Sequence, residues 1–318
     1  MEEKYICPVC GNSDSRYLGI RNNHYYCRKC LSFQGQETVG DVSYPKSAPF
    51  HLDYDLSKEQ KELSNQLLNN YKNGINTLVH AVCGSGKTEI VLDVIQYAVS
   101  CGDRVGFAIP RRDVVIEIHE RIKSIFVKNK VIAVYGGHNE VLSGDIVVLT
   151  THQLFRYYNY FDLLIVDEID AFPFRGNDLL NVFLERSIKN KYIMMSATPY
   201  NDVINKFSQN GYKIVELFSR FHRHPLPVPK VKIGKSIIKY AILYDQVAVF
   251  LKKTKKLFIF CPTIEMCEEI FLFLSLFFKG GKCVHSKCKN RSEIIHNFKE
   301  GKYRYLVTTA VLERGVTF

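Results

Sequence analysis

The stretch Ala81-Val82-Cys83-Gly84-Ser85-Gly86-Lys87-Thr88 decides the architecture. It follows the apolar run Ile75 to His80 and precedes EIVLDVIQYAV, the strand, loop and helix context that a phosphate-binding loop requires. Gly84 and Gly86 let backbone amides approach phosphates, and the helix start adds its positive end. In that reading Lys87 faces the β and γ phosphates of ATP, Ser85 belongs to the cradle and Thr88 ligates Mg2+. The first position of the generic motif is Ala81 rather than glycine.

About eighty residues on, Leu163-Leu164-Ile165-Val166 runs into Asp167-Glu168-Ile169-Asp170. Two acids at the C-terminal end of an apolar strand stand where ligands bind in an open parallel sheet. Asp167 is the candidate Mg2+ anchor and Glu168 the candidate base that orients an attacking water. Around these two landmarks short apolar runs alternate with amphipathic segments: RVGFAIP, VIAVY, DIVVLT and YIMMSAT. That alternation predicts an α/β fold with a parallel sheet covered on both faces. The stretch Gly35 to Asp55, with Gly35, Gly40, Pro45 and Pro49, holds the boundary and a linker over 41–55, and Pro225, Pro227 and Pro229 mark a hinge. The expected division is a module at 1–40, a first α/β domain at 56–220 and a second at 230–318. The second opens with KLFIFC, KCVHS and YRYLVTT, three strands in all. The run Ile270 to Phe278 reads as a core helix.

Cys7-Pro8-Val9-Cys10 and Cys27-Arg28-Lys29-Cys30 are two CxxC steps separated by sixteen residues, within the spacing of closed four-cysteine Zn2+ sites. His24 is a competing ligand that the four cysteines make unnecessary. So few apolar residues accompany them that the module is expected to need its metal to fold. Arg16, Arg21, Arg28 and Lys29, interleaved with Tyr17, Tyr25 and Tyr26, suit either phosphate and base contacts or a solvated docking scaffold.

Further steps follow in order: Pro110-Arg111-Arg112, Tyr135-Gly136-Gly137, Thr150-Thr151-His152-Gln153 and Ser196-Ala197-Thr198, each at the end of an apolar run. As a set with the phosphate loop and the acids, this series resembles superfamily 2 helicases. The whole chain, with its CxxC pairs, DEIDAFPF, MMSATP and TTAVLERGVTF, resembles the ComFA family of late competence ATPases, itself similar to the replication-restart helicase PriA. The resemblance implies two RecA-like domains, the second partial. It assigns Arg112, Gly136, Gly137 and Thr151, with Thr263 and Thr309 in the second domain, to a nucleic-acid strand. It assigns Ser196 and Thr198 to coupling hydrolysis with movement. Gln60 stands where many such motors read adenine, and a helix-surface glutamine fits the position equally.

The resemblance also implies ATP-driven translocation on single-stranded DNA during natural transformation, with the ComEC channel and ComFC as partners at the inner face of the membrane. Such motors carry a final motif whose arginine reaches the γ-phosphate. The sequence stops before that motif, near Arg314 and with Thr317 where a ribose-binding aspartate often stands, so weak turnover is expected. A nucleotide-sensing DNA-binding or docking module without motor activity and a PriA-like helicase are the alternative readings. A homo-oligomer that supplies the arginine from a neighbour is a further one.

Composition is compatible with all of this. The 318 residues carry 43 Lys+Arg against 32 Asp+Glu, a formal net charge of +11, which suits a polyanionic partner. No run reaches the roughly 18 apolar residues of a membrane span, and the start lacks a secretory signal. Ten cysteines, four in CxxC steps and six scattered, read as reduced thiols of a cytoplasmic protein.

Overall fold

The computed structural model describes residues 5–33, 35–39, 50, 52, 54–170, 177–219, 228–234, 237–253 and 256–309. Most of the 41–55 linker, Pro225 and Pro227 of the hinge, Ala171 to Phe174, and Glu313, Arg314, Gly315 and Thr317 lie outside them. The chain divides into two compact units, Met1–Pro225 and Leu226–Phe318.

The first unit begins with a hairpin, β1 (Leu18–Arg21) and β2 (His24–Cys27). Asn22 and Asn23 turn it with φ of 51° and 62°, the pair of left-handed residues that a tight hairpin requires. A two-residue strand β3 (Thr38–Val39) follows. Then come α1 (Lys58–Lys72), β4 (Thr77–Ala81), α2 (Lys87–Ile90), α3 (Leu92–Cys101), β5 (Val105–Ile109), α4 (Arg112–Ile125), β6 (Val131–Val134) and β7 (Ile146–Thr150). A 3-10 turn, Thr151–Arg156, leads into β8 (Tyr157–Tyr158) and β9 (Phe161–Val166). The unit closes with α5 (Asp178–Ser187), β10 (Ile188–Ser196), α6 (Asn201–Gln209) and β11 (Lys213–Leu217).

Among the described residues seven strands form one parallel sheet in the order β11-β4-β10-β9-β5-β7-β6. Every residue of β5, β7 and β9 is buried, which is why these runs are nearly continuous in apolar residues rather than alternating, with Asp162 the one charged residue among them. The period of two still sorts them. Val105, Phe107, Ile109, Leu163 and Ile165 join the layer with α1, α3 and α4, while Ala108, Leu164 and Val166 join the layer with the 3-10 turn, α5 and α6.

The N-terminal module departs from the expectation of a knot set apart by a linker. Cys7, Cys10, Cys27 and Cys30 pack against Leu179 and Val182 of α5, and Val9 and Phe33 join the second core layer. The Phe33 ring meets Phe183 edge-on at 4.9 Å, Phe155 at 5.8 Å and the stacked His152 ring at 6.3 Å. Arg186 donates to the Val9 carbonyl at 3.3 Å and pairs with Glu37 at 3.0 Å, and β3 pairs in parallel with β8. CxxC spacing carries no signal for such a seat, because its partners lie more than a hundred residues downstream.

The second unit contains α7 (Ile237–Lys253), β12 (Leu257–Phe260), α8 (Ile264–Ser275), β13 (Gly281–Val284), α9 (Arg291–Lys299) and β14 (Tyr305–Thr308). Among the described residues its sheet is parallel, in the order β12-β14-β13. The apolar run from Ile270 only partly meets the expectation of a core helix. Leu274 is buried, whereas Leu272, Leu276 and Phe277 are exposed and the helix ends at Ser275.

Candidate nucleotide and strand site

The phosphate loop leaves β4 at Ala81 and enters α2 at Lys87. Gly84 and Gly86 take φ of 78° and 81°, left-handed values that favour glycine. A Cβ on Gly86 would also collide with the Gln60 amide. Ser85 has no exposed surface, and its Oγ has no hydrogen-bond partner among the described residues. An orphaned hydroxyl inside a glycine cradle fits a loop built to wrap an anion.

Lys87 Nζ lies 3.5 Å from Asp167 Oδ1. Glu168 N donates to the same carboxylate oxygen at 2.8 Å. Burial pushes the Asp167 carboxyl above its usual range, and the Lys87 ammonium works against that rise. Glu168 follows with φ of 55°, a left-handed value unusual for a glutamate and of the kind that marks functional sites. Thr88 is buried at the start of α2. The residues present therefore fit a Mg-nucleotide: an ammonium and a half-buried carboxylate meet after β9, and a threonine hydroxyl follows the lysine at the start of α2. Bound there, Mg2+ would neutralise phosphate charge, and Asp167 with Thr88 would hold it.

Gln60 is buried, and its amide works inside the protein. Its Oε1 accepts from Ser57 N at 2.9 Å, completing a capping box at the start of α1, and its Nε2 donates to Ser85 O at 2.8 Å. The glutamine thus ties α1 to the phosphate loop. Beside it, Glu89 accepts from Tyr54 at 2.9 Å and pairs with Arg121 of α4.

Asp170 carries more of the site than the sequence singled out. Its Oδ1 accepts from Ser196 Oγ and its Oδ2 from Thr198 Oγ1, both at 2.8 Å, and its carbonyl accepts from Tyr200 at 3.0 Å. Ser196 Oγ also accepts from Thr198 N at 3.0 Å. A single buried carboxylate therefore joins the segment after β9 to the segment after β10. The fourth letter of DEID was the available signal.

The other predicted residues of the first unit lie along the same edge of its sheet. Arg112 follows β5 and is exposed, Gly136 and Gly137 follow β6 and are exposed, and Thr151 follows β7. Thr151 is the exception in character: it has no exposed surface, and its hydroxyl has no partner among the described residues. In the second unit Thr263 is exposed beyond β12, with its hydroxyl accepting from Met266 N at 3.2 Å to cap α8. Thr309 directly follows the neighbouring strand β14.

The four cysteine sulfurs all lie within 4.8 Å of one another, with Cys7 to Cys30 at 3.9 Å and Cys10 to Cys27 at 3.7 Å. A tetrahedral ion with Zn–S bonds of about 2.3 Å sets its sulfurs about 3.8 Å apart. Burial, reinforced by the neighbouring thiols, drives the Cys30 thiol far above its ordinary range. Four sulfurs so placed suit a closed tetrahedral site, and Zn2+ is what would hold four thiolates there.

Two sequence patterns match: "Type III restriction enzyme, res subunit" over residues 53–201 and "Helicase conserved C-terminal domain" over 238–318. Competence protein ComFA of Bacillus subtilis (strain 168) is 32% identical, over 99% of this chain and 73% of the relative. Its counterpart in Streptococcus pneumoniae (strain ATCC BAA-255 / R6) is 33% identical, over 99% and 77%. The chain belongs to the ComFA family. The replication restart protein PriA of Borreliella burgdorferi is a more distant relative, 23% identical over 60% of this chain and 32% of PriA. By fold, this ComFA-family chain is similar to S. cerevisiae Dbp5 bound to RNA and ADP BeF3, with TM-score 0.60 and 16% identity over 82% of this chain and 76% of that one. It is also similar to the DUF1998 helicase MrfA bound to DNA, with TM-score 0.55 and 17% identity over 90% and 46%. The parallel sheet is thus the RecA-like core of superfamily 2, and the ComFA-family chain is a competence-related, ATP-hydrolysing, helicase-like enzyme for which ATP and Mg2+ are the implied cofactors. Among the described residues no helix is long and apolar enough to cross a membrane.

Proposed function

We propose that this chain couples ATP hydrolysis to movement along single-stranded DNA in natural transformation. The observation that carries the proposal is the Asp170 bridge. It joins the acids of the nucleotide site to Ser196 and Thr198, so a change at the γ-phosphate has a short covalent and hydrogen-bonded route to the coupling segment. In this reading Gly84, Ser85, Gly86, Lys87 and Thr88 cradle the phosphates, Asp167 anchors Mg2+, and Glu168 orients water. Gln60 sets the loop and leaves one amide hydrogen for the base. Arg112, Gly136 and Gly137 hold the strand backbone in the first domain (56–220), and Thr263 and Thr309 hold it in the second (230–318). Thr151, fully buried, reaches a strand only if its turn opens. In this reading the four-cysteine module (1–40) is a Zn2+ scaffold, and ComEC and ComFC are partners near the cytoplasmic membrane face.

The test is ATP turnover with and without an oligo-dT strand, beside Lys87→Ala. Strand-stimulated turnover that Lys87→Ala abolishes supports the proposal. Turnover indifferent to the strand, or surviving in Lys87→Ala, overturns it. A strand-displacement assay separates a translocase, which need not unwind duplex, from a PriA-like helicase.

A further inference from the structure

The Gly136-Gly137 step does more than clear space. Tyr135 and His138 exchange both backbone hydrogen bonds, 3.0 Å from Tyr135 N to His138 O and 2.9 Å in return, so the two glycines form a two-residue turn after β6. Residues paired across such a turn set their side chains on one face. Here the two rings stack, with centroids 4.9 Å apart and planes 20° from parallel. Tyr135 is half-buried against the core layer of α4, whereas His138 is exposed. The guanidinium of Arg112 lies 4.8 Å from the Tyr135 ring centre. Because β7 sits between β5 and β6, this contact spans the C-terminal end of β7.

The glycines have different reasons to be glycine. Gly137 takes φ of 79°, which favours glycine by itself. Gly136 has no such φ, and a Cβ at either position would meet nothing within 4 Å. No internal contact therefore asks for glycine at 136. His138, the next residue but one, is exposed.

We infer that His138, seated on Tyr135, is a base-stacking residue: it takes one unstacked nucleobase of the bound strand, while Arg112 takes the adjoining phosphate. The inference rests on the strand-binding reading above and adds a contact to the base where that reading has contacts to the backbone alone. A ring already fixed by stacking and by a turn loses little freedom on binding, which makes it a preorganised platform. Such stacking is indifferent to sequence, since every base has a π-face. It also differs from phosphate contact in its salt dependence, because it releases no counterion.

The experiment measures binding of fluorescein-labelled oligo-dT, and of an abasic strand of equal length, by anisotropy over a range of salt. The proteins are the parent chain, His138→Ala, His138→Phe and Arg112→Ala. The main-chain bonds of the turn survive in His138→Ala, and a thermal melt checks that the fold does. His138→Ala should weaken oligo-dT binding about tenfold, within the range found for loss of one base–aromatic stack. It should leave the abasic affinity and the salt slope unchanged, and His138→Phe should restore the loss. Arg112→Ala should weaken both strands and lower the salt slope by about one. If Arg112→Ala behaves so while His138→Ala has no effect, or weakens both strands alike, the stacking role is overturned and strand binding at this edge stands. If the parent chain binds neither strand, both readings fall together.

Discussion

Asp170→Ala removes the one carboxylate that joins the acids after β9 to Ser196 and Thr198. Two hydrogen bonds to a charged acceptor are lost, each contributing about 1.5–3 kcal/mol. Ser196 has no exposed surface and is left with a buried hydroxyl, whereas Thr198 is exposed and recovers water. Removing a buried carboxylate offsets part of the loss by relieving its desolvation. The net destabilisation should be about 2–4 kcal/mol, which for a unit of this size lowers the melting temperature by about 5–15 °C and leaves the fold standing. Lys87, Thr88 and Asp167 are untouched, so a fluorescent ATP analogue should bind within about threefold of the parent. Strand-stimulated turnover should fall at least tenfold, because the nucleotide site and the coupling segment no longer share a rigid link. An Asp170→Ala protein with parental melting temperature and intact stimulation by oligo-dT would refute the argument at both of its steps.

Gln60→Ala should cost about 1–2 kcal/mol through loss of the capping box and free the phosphate loop, so weaker ATP-analogue binding should accompany a lower melting temperature in calorimetry. His152 supplies the pH dependence. Burial lowers its pKa below the usual 6.5, so the unfolded chain takes up a proton that the folded chain resists, and stability is lost as pH falls from that value toward the folded pKa. Denaturant melts at pH 7.5 and pH 5.5 should show a larger acid-induced loss for the parent than for His152→Leu, and equal losses would contradict the burial argument.

Local chemistry made much of this site legible. The glycines and Lys87 need a strand before them and a helix after them, and that context is written within twenty residues. The four cysteines announce themselves because thiolates must converge in pairs. The apolar runs of β5, β7 and β9 predicted a sheet covered on both faces, and every residue of those strands is buried. What escaped the sequence was long-range or contextual. Gln60 reads as a helix residue until Ser85, 25 positions away, turns out to accept its amide. Asp170 reads as one more acid in a loop until Ser196 and Thr198 fold over it. Tyr135 and His138 look like turn flanks, and only the ring geometry reveals a platform.

The seat of the N-terminal module has a consequence for the order of synthesis. Val9 and Arg186, which share a hydrogen bond, are 177 residues apart, and the Phe33 ring closes on Phe183. At about 5–20 residues per second the module waits about 10–35 s before α5 leaves the ribosome. Four thiols and Phe33 spend that interval without their helix, in a nascent chain whose first forty residues have little apolar surface of their own to bury. Metal captured then would shape the hairpin before its dock exists, and oxidation then would close the CxxC pairs on themselves.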